Sequence, residues 1–358
     1  MPELITTKSF ITTPGGVTNG ACGALMAMIR LAACSQPGPE TGRRVAVVGA
    51  GPAGIAAAAQ LRCDGHKVSV FDKLPEPGGM LLFAIPEFRI PKSAVRESIK
   101  SVAALGVSFY TEVEAGRNLR IEELLQDYDA VLIATGTWKG RSLGVPGEDK
   151  RNVYNALDWI FHFMSYKLGY VKASPPELRG RVGVVGAGLT AVDVAELAAL
   201  EYGAKPVLIY RRPMSVAPAK HMLKHLEKLG VEFIENAVPQ EIIGGEEIKA
   251  VKLARVKPTT SRTAKTEVIP GSEFDLELDS LVVAVGLQPT PPPGLREIGA
   301  EINPNGTIKI DENYMTTLKG LFAAGDVAHG PSNIGLAMRS GRMAAQRVTE
   351  WLRKGKQD

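Results

Sequence analysis

Cysteine is scarce: the 358 residues hold three, Cys22, Cys34 and Cys63. So sparse and odd a set excludes a disulfide framework and fits a reducing compartment, so free thiols in a cytoplasmic protein are expected. A cubane iron–sulfur cluster takes four thiolates, more than this chain has. An excess of one charge is also missing. The 42 basic and 38 acidic residues leave a net charge of +4, too balanced for a nucleic-acid binder. No apolar run reaches the ~20 residues of a membrane span. The nearest, residues 21–34, is broken by Arg30, and its Leu31-Ala32-Ala33-Cys34 box has no basic segment ahead of it as a secretory signal would. Residues 21–33 read instead as a helix packed on the first domain, behind an extended arm over residues 3–13. Histidine is rare as well. His221 and His225 sit at helical spacing without a third ligand, which predicts a solvated face and no metal. His329 is expected to be structural or at the surface.

What is present is a glycine pattern, twice. Val45-Ala46-Val47-Val48 runs into Gly49-Ala50-Gly51-Pro52-Ala53-Gly54, and the alanine-rich stretch 55–61 follows. This is the strand, turn and helix start of a dinucleotide-binding βαβ unit. Gly49 permits the tight turn, Gly51 lets backbone approach a pyrophosphate, and Gly54 lets helix and sheet close up. The strand 66–71 follows and ends at Asp72, where an acid meets the hydroxyls of an adenosine ribose. Gly78-Gly79-Met80 offers backbone without Cβ to a ligand, and the strand 130–134 runs into Thr135-Gly136.

The second copy is Val182-Gly183-Val184-Val185-Gly186-Ala187-Gly188-Leu189-Thr190-Ala191, with a helix to about residue 201. Its next strand, 206–210, ends in Arg211-Arg212 where the first copy has an acid. Guanidinium groups fork onto phosphate, whereas a carboxylate repels a ribose 2′-phosphate. The second site is therefore expected to prefer NADPH to NADH, and the first to take a nucleotide with a free ribose, such as FAD. Residues 279–286 echo the 130–136 strand. The stretch 320–326 is a strand ending in Gly325-Asp326, and a helix over 333–351 follows. The expected fold is α/β with two Rossmann-like domains and an N-terminal arm and helix over 1–43. A discontinuous FAD domain covers 44–145 and 287–358, and an NAD(P)H domain, 146–286, is inserted within it.

Those residues resemble the two-dinucleotide-binding-domain flavoproteins, and among them the small subunit of glutamate synthase and its relatives. The resemblance covers roughly 44–350. Its most specific parts are 77–92 (Pro-Gly-Gly-Met-Leu-Leu-Phe-Ala-Ile-Pro-Glu-Phe-Arg-Ile-Pro-Lys), 143–149, 186–193 and 322–327. Adrenodoxin-reductase-type ferredoxin–NADP reductases match 85–92 less well. The resemblance implies hydride transfer between nicotinamide and flavin, carried by the cofactors, so no side chain is expected to be catalytic. It implies FAD contacts from Lys73, Arg89 and Asp326, and from the helix start at Asn333-Ile334-Gly335, whose N–H groups would face the flavin. It implies a coenzyme contact at Gly286, and Lys220, where relatives often carry an acid, is an added candidate for phosphate.

Members of the glutamate synthase type carry a cysteine-rich iron–sulfur domain ahead of the first motif. Here 43 residues stand there, so that domain is expected to be lost or carried by another chain. Dithiol relatives use Cys-x-x-Cys or a four-residue spacing, and neither occurs. Electrons are therefore expected to pass to an iron–sulfur partner or a larger enzyme subunit, with oligomerisation left open. A free-standing NAD(P)H oxidoreductase acting on ferredoxin or a small molecule such as a sulfur compound is the alternative. A non-catalytic FAD-binding assembly subunit is a third reading, disfavoured by two intact nucleotide motifs.

Overall fold

The computed structural model describes residues 31–259, 261 and 264–355. The arm at 3–13 and most of the helix expected over 21–33 lie outside them. Residues 31–33, its described end, are not helical. Leu31 is nonetheless fully buried in the first core, its N–H bonded to Ser98 Oγ.

The chain opens with β1 (Arg44–Val48), α1 (Pro52–Cys63) and β2 (Lys67–Phe71). Then come α2 (Met80–Phe83), α3 (Lys92–Ala104), β3 (Ser108–Tyr110), α4 (Ile121–Asp127) and β4 (Ala130–Ile133). A short β5 (Lys139–Gly140) leads to β6 (Val153–Asn155), α5 (Ala156–Lys167), β7 (Arg181–Val185), α6 (Leu189–Tyr202) and β8 (Lys205–Tyr210). After a 3₁₀ turn at Lys220–Met222 the chain forms α7 (Leu223–Lys228) and β9 (Glu232–Glu235). An antiparallel meander follows, β10 (Ala237–Gly244), β11 (Ile248–Arg255) and β12 (Phe274–Glu277). The chain closes with β13 (Ser280–Val283), β14 (Leu287–Gln288), β15 (Leu321–Ala323), α8 (Asp326–His329) and α9 (Ile334–Lys354).

Two parallel sheets dominate, ordered β15-β4-β1-β2-β3 and β6-β13-β7-β8-β9. In each, the strand that feeds a glycine turn sits centrally between neighbours reached in opposite directions. That is the switch point at which open α/β sheets bind ligands. Both faces of β1 and β4 are covered, so Val45 to Val48 and Ala130 to Ile133 are all buried. Each fully buried valine contributes roughly 1.5–3 kcal/mol. The alanines of α1 permit close packing on α9. A Cβ added at Gly341 would collide with the carbonyl oxygen of Ala53, so only glycine fits there. The meander covers the far face of the second sheet, where Val207, Ile209 and Leu281 pack against Ile242, Val251 and Leu276.

β15 returns to the first sheet beside β4 although the whole second sheet lies between them in sequence. The two crossings between sheets run side by side, pairing β5 with β14 as a two-residue antiparallel ribbon.

The cysteines differ from expectation. Cys34 and Cys63 form a disulfide with Cα atoms 5.9 Å apart. The segment 34–41 folds back over the end of α1 because the N–H groups of Gly38 and Thr41 donate to Cys63 and Gly65 carbonyls. That brings two distant cysteines within bridging range. Cys63 is thus half of a bridge, not the buried small hydrophobe its place on the helix suggested.

Candidate functional site

The first glycine turn caps α1. Gly49 has φ of 108°, and a Cβ there or at Gly54 would strike the carbonyl of Ala134 or of Gly49 itself. Gly51 differs: an added Cβ would meet no atom within 4 Å, because this backbone faces open space. That space is a cavity of about 830 Å³. Of the residues expected at an FAD site, it is lined by Gly49, Gly51, Pro52, Ala53, Asp72, Lys73, Gly79, Met80, Arg89, Thr135, Gly136, Asp326, Asn333, Ile334 and Gly335. Gly54, Gly78 and Gly325 lie behind the wall and shape it. The Gly78 N–H donates to Ala50, and Gly325 takes φ of 71° against the Cβ of Ala53.

Asp72 is buried, and burial pushes its pKa up while two backbone N–H donors hold it down. Those donors are Ala50, 2.5 Å from Oδ2, and Leu74, 2.8 Å from Oδ1. The acid therefore ties the glycine turn to the loop after β2. Across the cavity, Asn333 caps α9 by accepting from the Leu336 N–H, and Asp326 accepts from the N–H and hydroxyl of Ser332. Thr290 ties the crossing after β14 to the cavity wall, its N–H donating to the Gly136 carbonyl and its own carbonyl accepting from Thr135 Oγ1.

Two residues escaped sequence reasoning, one on the cavity wall and one bonded to residues that line it. Thr137 is 1% exposed and lines the cavity, yet its hydroxyl has no hydrogen-bond partner among the described residues. Its neighbours Thr135 and Gly136 were expected, and the run Thr135-Gly136-Thr137 carried the signal. Lys92 is buried under the strap 84–91, its Nζ donating to the carbonyls of Leu81 (2.8 Å) and Ile85 (2.5 Å). Burial lowers its pKa to about 8.

The second turn repeats the geometry. Gly186 has φ of 135°, with its Cβ direction blocked by the Ala284 carbonyl, and Gly188 again faces open space. A cavity of about 640 Å³ opens there, lined by Gly186, Ala187, Gly188, Thr190, Arg211, Arg212 and Gly286 among others. Ala191 is buried beneath the turn, and Leu189 faces the first cavity instead. Lys220 is exposed and lines neither cavity. The arginines part company. Arg211 is exposed at the mouth, whereas Arg212 is buried and donates to the carbonyls of Ser261 and Ala264 at 3.0 Å each. Leu157, Thr190 and Leu287 line both cavities, which therefore share a wall.

The disulfide lies at the far end of α1 from the glycine turn. Eleven residues at ~1.5 Å rise separate Pro52 from Cys63, roughly 16 Å, so it does not border the first cavity. His225 stays exposed, as the solvated face predicted, with its Nε2 2.8 Å from Glu196 Oε1, and His329 packs edge-on to Tyr314. Among the described residues no helix is long and apolar enough to cross a membrane.

Residues 43–341 match the pyridine nucleotide-disulphide oxidoreductase family. The chain is 35% identical over 324 residues to the glutamate synthase [NADPH] small chain of Halomonas elongata, covering 87% of this chain and 68% of that one. It is 32% identical over 328 residues to the glutamate synthase [NADPH] small chain of Escherichia coli K12, covering 87% and 69%. Mycobacterium tuberculosis FprA, solved in complex with NADPH, superposes with a TM-score of 0.75 at 20% identity, covering 88% of this chain and 86% of that one; this is a likeness of fold.

Proposed function

Since the chain belongs to the pyridine nucleotide-disulphide oxidoreductase family, we propose that it is an FAD-dependent NADPH oxidoreductase subunit passing electrons between nicotinamide and an iron–sulfur partner. One observation carries the reading: two glycine turns, each opening on its own cavity, with the cavities sharing a wall at Leu157, Thr190 and Leu287. The two turns would each hold a pyrophosphate, and Leu157, Thr190 and Leu287 would stand between the two dinucleotides.

The residues fit these groups. Gly51 and Gly188 are cradles that a Cβ would fill, and the Thr137 hydroxyl, without a partner among the described residues, would meet a polar group in the first cavity. FAD, when bound, supplies the hydride-accepting ring, and no acid–base residue is needed for that step. The chain contributes orientation and field. Asp72 holds the first turn in shape and faces the ribose, and the start of α9, capped by Asn333, presents its positive end to the cavity. Arg211 would read the 2′-phosphate from the mouth of the second cavity, whereas Arg212 is held by the carbonyls of Ser261 and Ala264. Lys220 is not among the residues of that lining.

Electron exit through a dithiol has no support among the described residues, where the Cys34–Cys63 disulfide lies off the cavity, at the other end of α1. The relatives' names describe small chains, that is, parts of larger enzymes, which favours a partner protein as acceptor. The test is anaerobic turnover with NADPH and two acceptors, a ferredoxin-type iron–sulfur protein and a low-molecular-weight disulfide. Reduction of the iron–sulfur protein alone is expected; reduction of the disulfide alone would refute the route.

A further inference from the structure

A group of ionisable side chains bridges the two parallel sheets, and neither glycine turn requires it. Arg89 leaves the strap between α2 and α3 and reaches α6. Its Nε donates to Asp193 Oδ1 at 2.6 Å, its Nη2 to Glu196 Oε2 at 2.9 Å, and its Nη1 contacts Met222 Sδ at 3.4 Å. Asp193 and Glu196 stand three apart on α6, so they share a helix face, and both are buried. Two buried like charges are tolerated only around a shared cation. Arg89 is that cation for both. His225, half exposed, bonds the second oxygen of Glu196, and Lys92 acts on Asp193 through charge while its own Nζ is held by carbonyls.

The covalent link between the sheets is only the β5/β14 ribbon, whose two short strands leave twisting as the soft motion. Phe83 packs on Phe161 and Tyr170 across the same interface, but apolar contacts are non-directional. A guanidinium fork on two carboxylates is directional. It grips α6 at positions five and eight residues beyond Gly188, and both Arg89 and Asp193 line the first cavity.

We propose that Arg89 is a positioning residue: by bridging Asp193 and Glu196 it locks α6, with the coenzyme turn at its start, against the wall of the flavin cavity and so fixes the approach of the two cofactor sites. The inference rests on the functional reading above. Burial raises the Asp193 pKa to about 6 against the opposing pull of Arg89. Below that pH the carboxyl is neutral and the bridge keeps one charged arm, the Glu196 arm that His225 also contacts.

The test uses flavin-loaded protein and its Arg89→Met, Arg89→Lys and Asp193→Asn variants. Anaerobic stopped-flow with NADPH reads the flavin reduction rate, NADP⁺ titration reads coenzyme affinity, and hydrogen exchange of the flavin-free protein reads protection of α6 and the strap. Arg89→Met is expected to keep NADP⁺ affinity within about threefold while slowing flavin reduction roughly ten- to a hundred-fold, the effect of a misplacement of about 1 Å. Exchange should quicken in both α6 and the strap, and Arg89→Lys should recover part of each loss. The wild-type rate should fall below about pH 6, and Asp193→Asn should lack that inflection. Unchanged reduction by Arg89→Met, or an acid inflection that survives in Asp193→Asn, overturns the proposal. If the wild type itself is not reduced by NADPH, the functional reading fails first, and the two failures are distinct.

Discussion

Thr137→Val separates the flavin site from the fold by the signs of two effects. The substitution keeps volume and β-branching but removes a hydroxyl that is 1% exposed and unpartnered among the described residues. An unsatisfied buried polar group costs about 1–3 kcal/mol, so the flavin-free variant should be more stable than wild type by about that much. If the hydroxyl bonds to FAD, the loaded variant loses a hydrogen bond of about 0.5–1.5 kcal/mol. The binding constant also loses the relief that FAD gave the strained wild-type site. Together these predict an FAD dissociation constant raised at least about tenfold, since ~1.4 kcal/mol is one decade. Urea unfolding with and without saturating FAD measures both: the midpoint should rise without FAD, and the shift that FAD produces should shrink. A variant that is destabilised without FAD, or that binds FAD as tightly as wild type, refutes the reasoning.

Further outcomes follow from the same geometry. Arg211→Ala should weaken NADP⁺ binding about tenfold and leave NAD⁺ unchanged, because an exposed charge-assisted contact sits near the low end of ~1.5–3 kcal/mol. Arg212→Ala should weaken both, since it removes the bonds to the Ser261 and Ala264 carbonyls from a residue lining the second cavity; isothermal titration with each coenzyme decides. Gly54→Ala should abolish folding by colliding with the Gly49 carbonyl, whereas Gly51→Ala should fold and fail to retain flavin, as circular dichroism and released-flavin absorbance would show. Cys34→Ser should cost about 3–4 kcal/mol, from a 29-residue separation closed by the bridge, with no change in reduction by NADPH. For Asp193 the folded pKa is raised to about 6, so between about pH 4 and 6 the folded state holds the extra proton. Its share of stability is present at low pH and is lost as pH rises through that window, by about 3 kcal/mol at ~1.4 per unit. The difference in unfolding free energy between wild type and Asp193→Asn across those pH values should trace that loss.

Much of this architecture is legible in residue patterns. Apolar β-branched runs at 45–48 and 182–185 enter the turns at Gly49 and Gly186, where close backbone approach demands glycine, and the helix expected from 333 forms as α9. The meander at 237–277 was not legible, because its alternating faces are broken by a bulge at Pro239/Glu241 and it covers a sheet remote in sequence. The disulfide was hidden for a related reason: spacing along the chain says nothing of a segment folding back through two backbone hydrogen bonds. Adjacent arginines at 211 and 212 look alike in sequence; only the fold distinguishes Arg211, exposed at the cavity mouth, from Arg212, buried on the carbonyls of Ser261 and Ala264. Arg89 stood out as a strap residue near flavin, but its two acidic partners lie more than 100 residues away and are paired with it only by the fold.

Reducing equivalents are expected to pass from NADPH to a flavin held on the first glycine turn. Anaerobic mixing of the flavin-loaded protein with NADPH, and separately with NADH, while following oxidised-flavin absorbance near about 450 nm tests it most directly. Rapid loss of that absorbance with NADPH and slower loss with NADH is predicted; a spectrum unchanged by either coenzyme would contradict the account.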